Sequence, residues 1–153
     1  MNAEKYTQKA LEAVKTAQNM AQENGNQYLT PEHLLYALVD QDGGLIASLF
    51  GKMGVDCDGL LSELDTLIRH LPKVSGGSGE VYASPETGKI LNLAEKTAEK
   101  LHDDYISVEH LMLGLMETAD SNLKTIFQRH NLTKEKFLEA LKTVRGNTRV
   151  TSD

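Results

Sequence analysis

Five histidines, one cysteine and a group of acids near Asp103 are the side chains of this sequence whose types could carry chemistry. A zinc site on a helix needs a second ligand one turn away. Neither His33 nor His110 has one, and neither belongs to a His-Glu-x-x-His pair. Both are expected to do a structural job near a helix N-terminus, and no metal site is read. Cys57 lies beside a helix cap, which lowers a thiol pKa, but Asp56 and Asp58 flank it and oppose the thiolate. A surface thiol is the expectation. Asp103, Asp104 and Glu109 cluster between two helices without a catalytic partner, and are read as caps and a solvated rim. The segment Ala83-Ser84-Pro85-Glu86-Thr87-Gly88-Lys89-Ile90 approaches a phosphate loop, yet Ala83 stands for its first Gly and Ile90 for the magnesium-binding hydroxyl. It reads as a capped helix start. These residues predict no catalytic centre.

The elements that position them repeat. Tyr28-Leu29-Thr30-Pro31-Glu32-His33-Leu34-Leu35 falls, at an offset of 77, on Tyr105-Ile106-Ser107-Val108-Glu109-His110-Leu111-Met112. The register runs without a gap from Ala17/Ala94 and Ala21/Ala98 to Leu61/Leu138 and Leu64/Leu141. Each copy predicts four helices. In the first, Thr7 caps a stripe of Ala10, Ala13, Val14, Ala17 and Ala21, stopped at Gly25. Thr30 caps the second, with Pro31 at its first position and Glu32 in its first turn, and Gly43-Gly44 stop it. A third runs from Leu45 to Met53 and stops at Gly54. Asp56 caps a fourth, with Leu60, Leu61, Leu64, Leu67 and Ile68 inward. The second copy uses Ser84-Pro85, Ser107, Asn131 and Thr133 for the same tasks, Asn and Gly both tolerating positive φ. The fold class is therefore all-α, two pseudo-twofold related four-helix repeats joined by a Gly/Ser-rich linker. The repeats span about 4–70 and 84–145, with the linker at about 71–83 and a polar tail at 146–153.

Composition narrows the partners. A chain of 153 residues with 40% hydrophobic and 25% charged residues is in the globular range. A net charge of −6, with no basic stripe, argues against nucleic acid. No apolar run reaches the ~18 residues a bilayer span requires, and no signal peptide opens the chain. The lone Cys57 suits a reducing compartment. The expected location is cytoplasmic, with no membrane partner. On the helix after Ser84 the inward stripe is Ile90, Leu91, Ala94, Ala98 and Leu101. Leu93 falls off it, opposite the polar Thr16 of the first copy, and Val81 and Tyr82 are apolar in a polar linker. They read either as single exposed apolar residues, ordinary on a protein surface, or as a small apolar patch beside the acidic rim of Asp103 and Glu109, able to accept a stretch of another chain.

The doubled Thr-Pro-Glu-His-Leu-Leu and Ser-Val-Glu-His-Leu-Met segments resemble the N-terminal domain of the Clp ATPases. Leu38-Val39-Asp40-Gln41-Asp42-Gly43-Gly44, Leu71-Pro72-Lys73-Val74 and Val144-Arg145-Gly146 narrow the resemblance to the ClpB-type disaggregases. The resemblance implies an all-helical domain, itself without enzymatic activity, linked by residues 146–153 to ATPase modules outside this sequence. Those modules would hold ATP and magnesium, and this segment would hold no cofactor. Unfolded or aggregated polypeptides are the implied partners, with an adaptor protein as the alternative. The implied state is a monomer for this domain and a homohexamer for its parent. The binding positions implied are Thr7, Asp103 and Glu109, with an apolar lining assigned to Leu91 and Leu93. The differences between the copies, Leu93 against Thr16 and Asp103 against Asn26, place more of that site in the second copy.

Overall fold

A computed structural model of the chain describes residues 2–74, 79–146 and 150–151. After a 3₁₀ turn at Ala3–Lys5 come α1 (Gln8–Glu23), β1 (Tyr28–Leu29), α2 (Pro31–Asp40), α3 (Leu45–Lys52) and α4 (Cys57–Arg69). The second half brings β2 (Tyr82–Ala83), α5 (Pro85–Lys100), α6 (Val108–Thr118), α7 (Ser121–Arg129) and α8 (Lys134–Arg145). At the offset of 77, the range of α1 coincides with that of α5, and the starts of α2 and α4 fall on those of α6 and α8.

Local chemistry sets these boundaries. The side chains of Thr7, Asp56, Ser84, Asp120 and Thr133 each accept a hydrogen bond from a backbone N–H of the first turn they cap. After α1, Gly25 takes φ +74°, and the same place after α5 is held by His102 at +59°. Gly54 and Asn131 likewise share the left-handed turn after α3 and α7, at +78° and +56°.

One core joins both copies. The fully buried residues of α1 are all alanines (Ala10, Ala13, Ala17, Ala21), so α2 can approach closely, while Leu11 and Val14 are half-buried against the core. The equivalent contact is built differently in the second copy. A Cβ on Gly114 would lie 2.9 Å from the Ile90 carbonyl oxygen, so Ile90 on α5 requires glycine on α6. In the first copy the same two positions are Ala13 and Ala37, both buried. Phe50 of α3 meets Phe137 of α8 edge-on, with centroids 6.3 Å apart, closing the core between the copies.

Four expectations change. Leu101 does not continue the inward stripe of α5. It is the C-cap residue and 42% exposed, because the helix ends one residue before it. Leu61 and Leu67 are half-buried at the edge of α4 rather than inward. Helix α2 stops at Asp40, with Gln41 extended, before the glycine pair; Gly44 instead caps α3. The chain also has a short parallel pair, Tyr28 beside Tyr82 and Leu29 beside Ala83. That pairing accounts for Val81 and Tyr82: Val81 packs on the core and Tyr82 belongs to β2. The Gly/Ser-rich centre of the expected linker, 75–78, and residues 147–149 and 152–153 of the expected tail lie outside the described residues.

The two copies interlock through these strands. The Ser84 N–H donates to the Leu29 carbonyl at 3.0 Å, and the Thr7 N–H donates to the Ile106 carbonyl at 2.9 Å. These bonds are equivalents under the offset of 77. Each copy's entry to its first helix therefore pairs with the other copy's entry to its second. Among the described residues no helix is long and apolar enough to cross a membrane.

Candidate functional site

Thr7 is buried at the start of α1. Its hydroxyl oxygen accepts from the Ala10 N–H at 3.1 Å while its own N–H reaches Ile106, one residue before Ser107, the N-cap of α6. The strand contact thus brings Thr7 beside the first turn of α6, which carries Glu109 and His110. Asp103 enters from the other side. The left-handed His102 turns the chain after α5, and the Asp103 N–H bonds back to the Ala98 carbonyl at 2.9 Å.

The side chains then form a closed network. His110 Nδ1 accepts from the Ser107 N–H at 2.9 Å, which assigns the ring proton to Nε2, donated to Asp103 Oδ2 at 2.8 Å. Asp103 Oδ1 accepts from Arg145 Nη2 and, at 2.9 Å, from the Val150 N–H. Glu109 Oε1 accepts from the Ser107 hydroxyl, and Arg145 Nη1 lies 3.7 Å from Glu109 Oε2. Arg145 thus joins the two carboxylates. The Asp103 side chain has no exposed surface, and Glu109 is also buried. The expected solvated rim is therefore wrong for these two acids, and of the three only Asp104 is exposed. Burial works to raise the Asp103 pKa, but Arg145, the Val150 N–H and His110 together hold it below the usual carboxylate range. Burial lowers His110, against the opposing pull of Asp103 and Glu109, and keeps the ring neutral near pH 7.

The first copy shows what the network replaces. His33 Nδ1 accepts from the Thr30 N–H at 3.0 Å, and its Nε2 meets Asn26 Oδ1 at 3.0 Å. Both histidines therefore serve the starts of α2 and α6, with their ring nitrogens committed to protein partners. Burial pushes His33 down to about 4. Glu32, the counterpart of Glu109, has its carboxyl pKa raised by burial, with Asp120 adding to it. Cys57 is half-buried, and burial together with Asp58 and Asp56 raises its thiol.

The apolar positions stand apart from this network. Leu91 and Leu93 are both half-buried, but only Leu91 packs against the core cluster, and Leu93 lies about 10 Å along α5 from its last residue. Its counterpart Thr16 is exposed. The residue that sequence reasoning missed is Arg145, whose counterpart in the first copy is the buried Ile68. The pair Asn26 and Ile68 becomes Asp103 and Arg145, so an acid and a base appear together. Comparing both positions at once would have found it.

The Clp repeat (R) N-terminal domain model matches residues 5–130. The chain is 39% identical over 155 aligned positions to a chaperone protein ClpB from Bacillus anthracis, covering 99% of this chain and 18% of that protein. The chain thus spans about a fifth of that relative's length. Among solved structures it resembles the Hsp104 N-terminal domain from Candida albicans, at a TM-score of 0.84 and 21% identity, covering 96% of this chain and 95% of the other. It also resembles the N-terminal domain of the caseinolytic protease associated chaperone ClpD from Arabidopsis thaliana. There the TM-score is 0.70 at 19% identity, with 95% and 98% covered. At these identities the solved structures establish the shared helical fold.

Proposed function

The chain belongs to the Clp repeat N-terminal domain family, and from that membership we propose that it is the substrate-binding N-terminal domain of a ClpB-type, ATP-dependent disaggregase. In this reading it engages unfolded or aggregated polypeptide in the cytoplasm and helps deliver it to the pore of a homohexameric parent. It performs no catalysis itself and leaves ATP and magnesium to the parent's other modules. The observation that carries the reading is the match of essentially the whole chain to ClpB.

Of the five proposed site positions, Leu93 and Leu91 supply the apolar surface on α5, and Thr7, Asp103 and Glu109 fix the backbone between the end of α5 and the start of α6. A small face of this kind buries less than a standard interface, so binding is weak and reversible. The test is an amide-shift titration of the labelled domain with a permanently unfolded protein. Shifts gathered at Thr7, Leu91, Leu93 and the Asp103–Glu109 loop support the reading, and shifts that avoid all of them refute the site. A second reading, an adaptor-docking domain of a protease-associated Clp ATPase, draws on the resemblance to the ClpD domain. Capture of a folded adaptor, with no binding of the unfolded protein, would favour it.

A further inference from the structure

We propose that Asp103 is a latch for the chain leaving α8: its buried carboxylate fastens Arg145 and the Val150 main chain over the α5–α6 loop, and so sets the direction in which the polypeptide departs. The proposal concerns this chain's own exit segment and does not depend on the polypeptide-binding reading.

The Asp103 carboxylate is spent on this task. Oδ1 takes both the Arg145 guanidinium and the Val150 N–H, while Oδ2 takes His110. A second link lies alongside, the Asp104 N–H donating to the Val150 carbonyl at 2.7 Å. Residue 150 is thereby held on both its N–H and its C=O by adjacent residues of one loop. Glu109 adds to the hold on Arg145 from the first turn of α6.

The first copy builds the same device from neutral groups. Asn26 Nδ2 donates to the Pro72 carbonyl at 3.0 Å, Asn24 Nδ2 to the Ile68 carbonyl at 2.8 Å, and the Val74 N–H to the Gly25 carbonyl at 2.8 Å. In both copies the loop after the first helix holds down the chain that follows the fourth. The loop residue at the centre is Asn26 in one and Asp103 in the other. The exit is thus a repeated feature of the fold, made ionic only where the chain leaves the domain. An amide-to-carbonyl bond is modest. A buried carboxylate facing a guanidinium is costly to break from one side, because the partner's charge is left uncompensated. Asp103 is accordingly a positioning residue that acts through Arg145 and Val150.

Amide hydrogen exchange on the whole chain tests this. The Val150 and Asp104 amides should be protected, and Asp103→Asn should speed their exchange about tenfold or more. The Asn26 amide, bonded to the Ala21 carbonyl, should keep its protection as the folding control. Arg145→Met cuts the latch from the other end, leaves the Asp103–His110 bond in place, and should give the same loss. The double variant should be no faster than the faster single variant, because all three lose one unit. Unprotected Val150 and Asp104 amides in the unaltered chain would overturn the latch. So would rates within about twofold of the unaltered chain in Arg145→Met. Retained binding of an unfolded protein by Arg145→Met would separate the latch from the substrate face.

Discussion

His33 and His110 show how one residue type at one helical position can be read correctly as structural and still carry a measurable signature. Each accepts from the backbone N–H of its helix's N-cap residue and donates to a loop residue seven positions earlier. Burial depresses His33 to about 4, so the unfolded chain takes up that proton first as pH falls. The His33 contribution is complete above its ordinary pKa of about 6.5 and is lost on acidification towards 4. Between pH 6.5 and 5 the loss is about 2 kcal/mol. The loss of unfolding free energy between pH 6.5 and 5, read by denaturant unfolding at each pH, should be larger by that amount in the unaltered chain than in His33→Gln. Taking the difference cancels the opposite contribution of Glu32, whose raised pKa favours the folded state in acid. The sequence showed His33 and His110 as equivalents, and it flagged Asp103 against Asn26. It did not show that Asp103 would be buried, because its neutralising partner Arg145 lies 42 residues away at the end of α8.

At the scale of elements, the helices were legible because capping, stopping and apolar periodicity agreed at nearly every boundary. The exceptions have local causes. The strands are two residues each, too short for a period of two to register, and are defined by pairing with the opposite copy. Gly43 and Gly44 lie in the α2–α3 turn, but α2 has already ended at Asp40. The packing of α5 on α6 gives the sharpest test at this level. Because a Cβ at residue 114 meets backbone at Ile90, Gly114→Ala should destabilise the domain by about 1–3 kcal/mol, read as a lowered denaturation midpoint. Pairing it with Ile90→Ala, which recreates the Ala13/Ala37 contact of the first copy, should recover part of that loss. An unchanged midpoint in Gly114→Ala would mean that α5 and α6 are less tightly apposed than described.

At the scale of the molecule, the duplicated halves share one core and exchange strand contacts, so neither Thr7 nor the α6 first turn is placed by its own copy alone. The interlock brings residues about 100 positions apart to one place, Thr7 beside Ile106. The differences between the copies divide into two kinds. Asp103 and Arg145 turn inward as a paired fastening, whereas Leu93 is half-buried outside the core cluster, where the first copy has the exposed Thr16. The central claim is that the surface around Leu93 in the second copy receives unfolded polypeptide. The most direct test replaces Leu93 with its first-copy equivalent and measures binding of a fluorescent, permanently unfolded protein by anisotropy. Leu93→Thr should weaken binding about tenfold, the scale of one lost apolar side-chain contact, while leaving the melting temperature unchanged. Unaltered affinity in a folded Leu93→Thr domain would contradict the account.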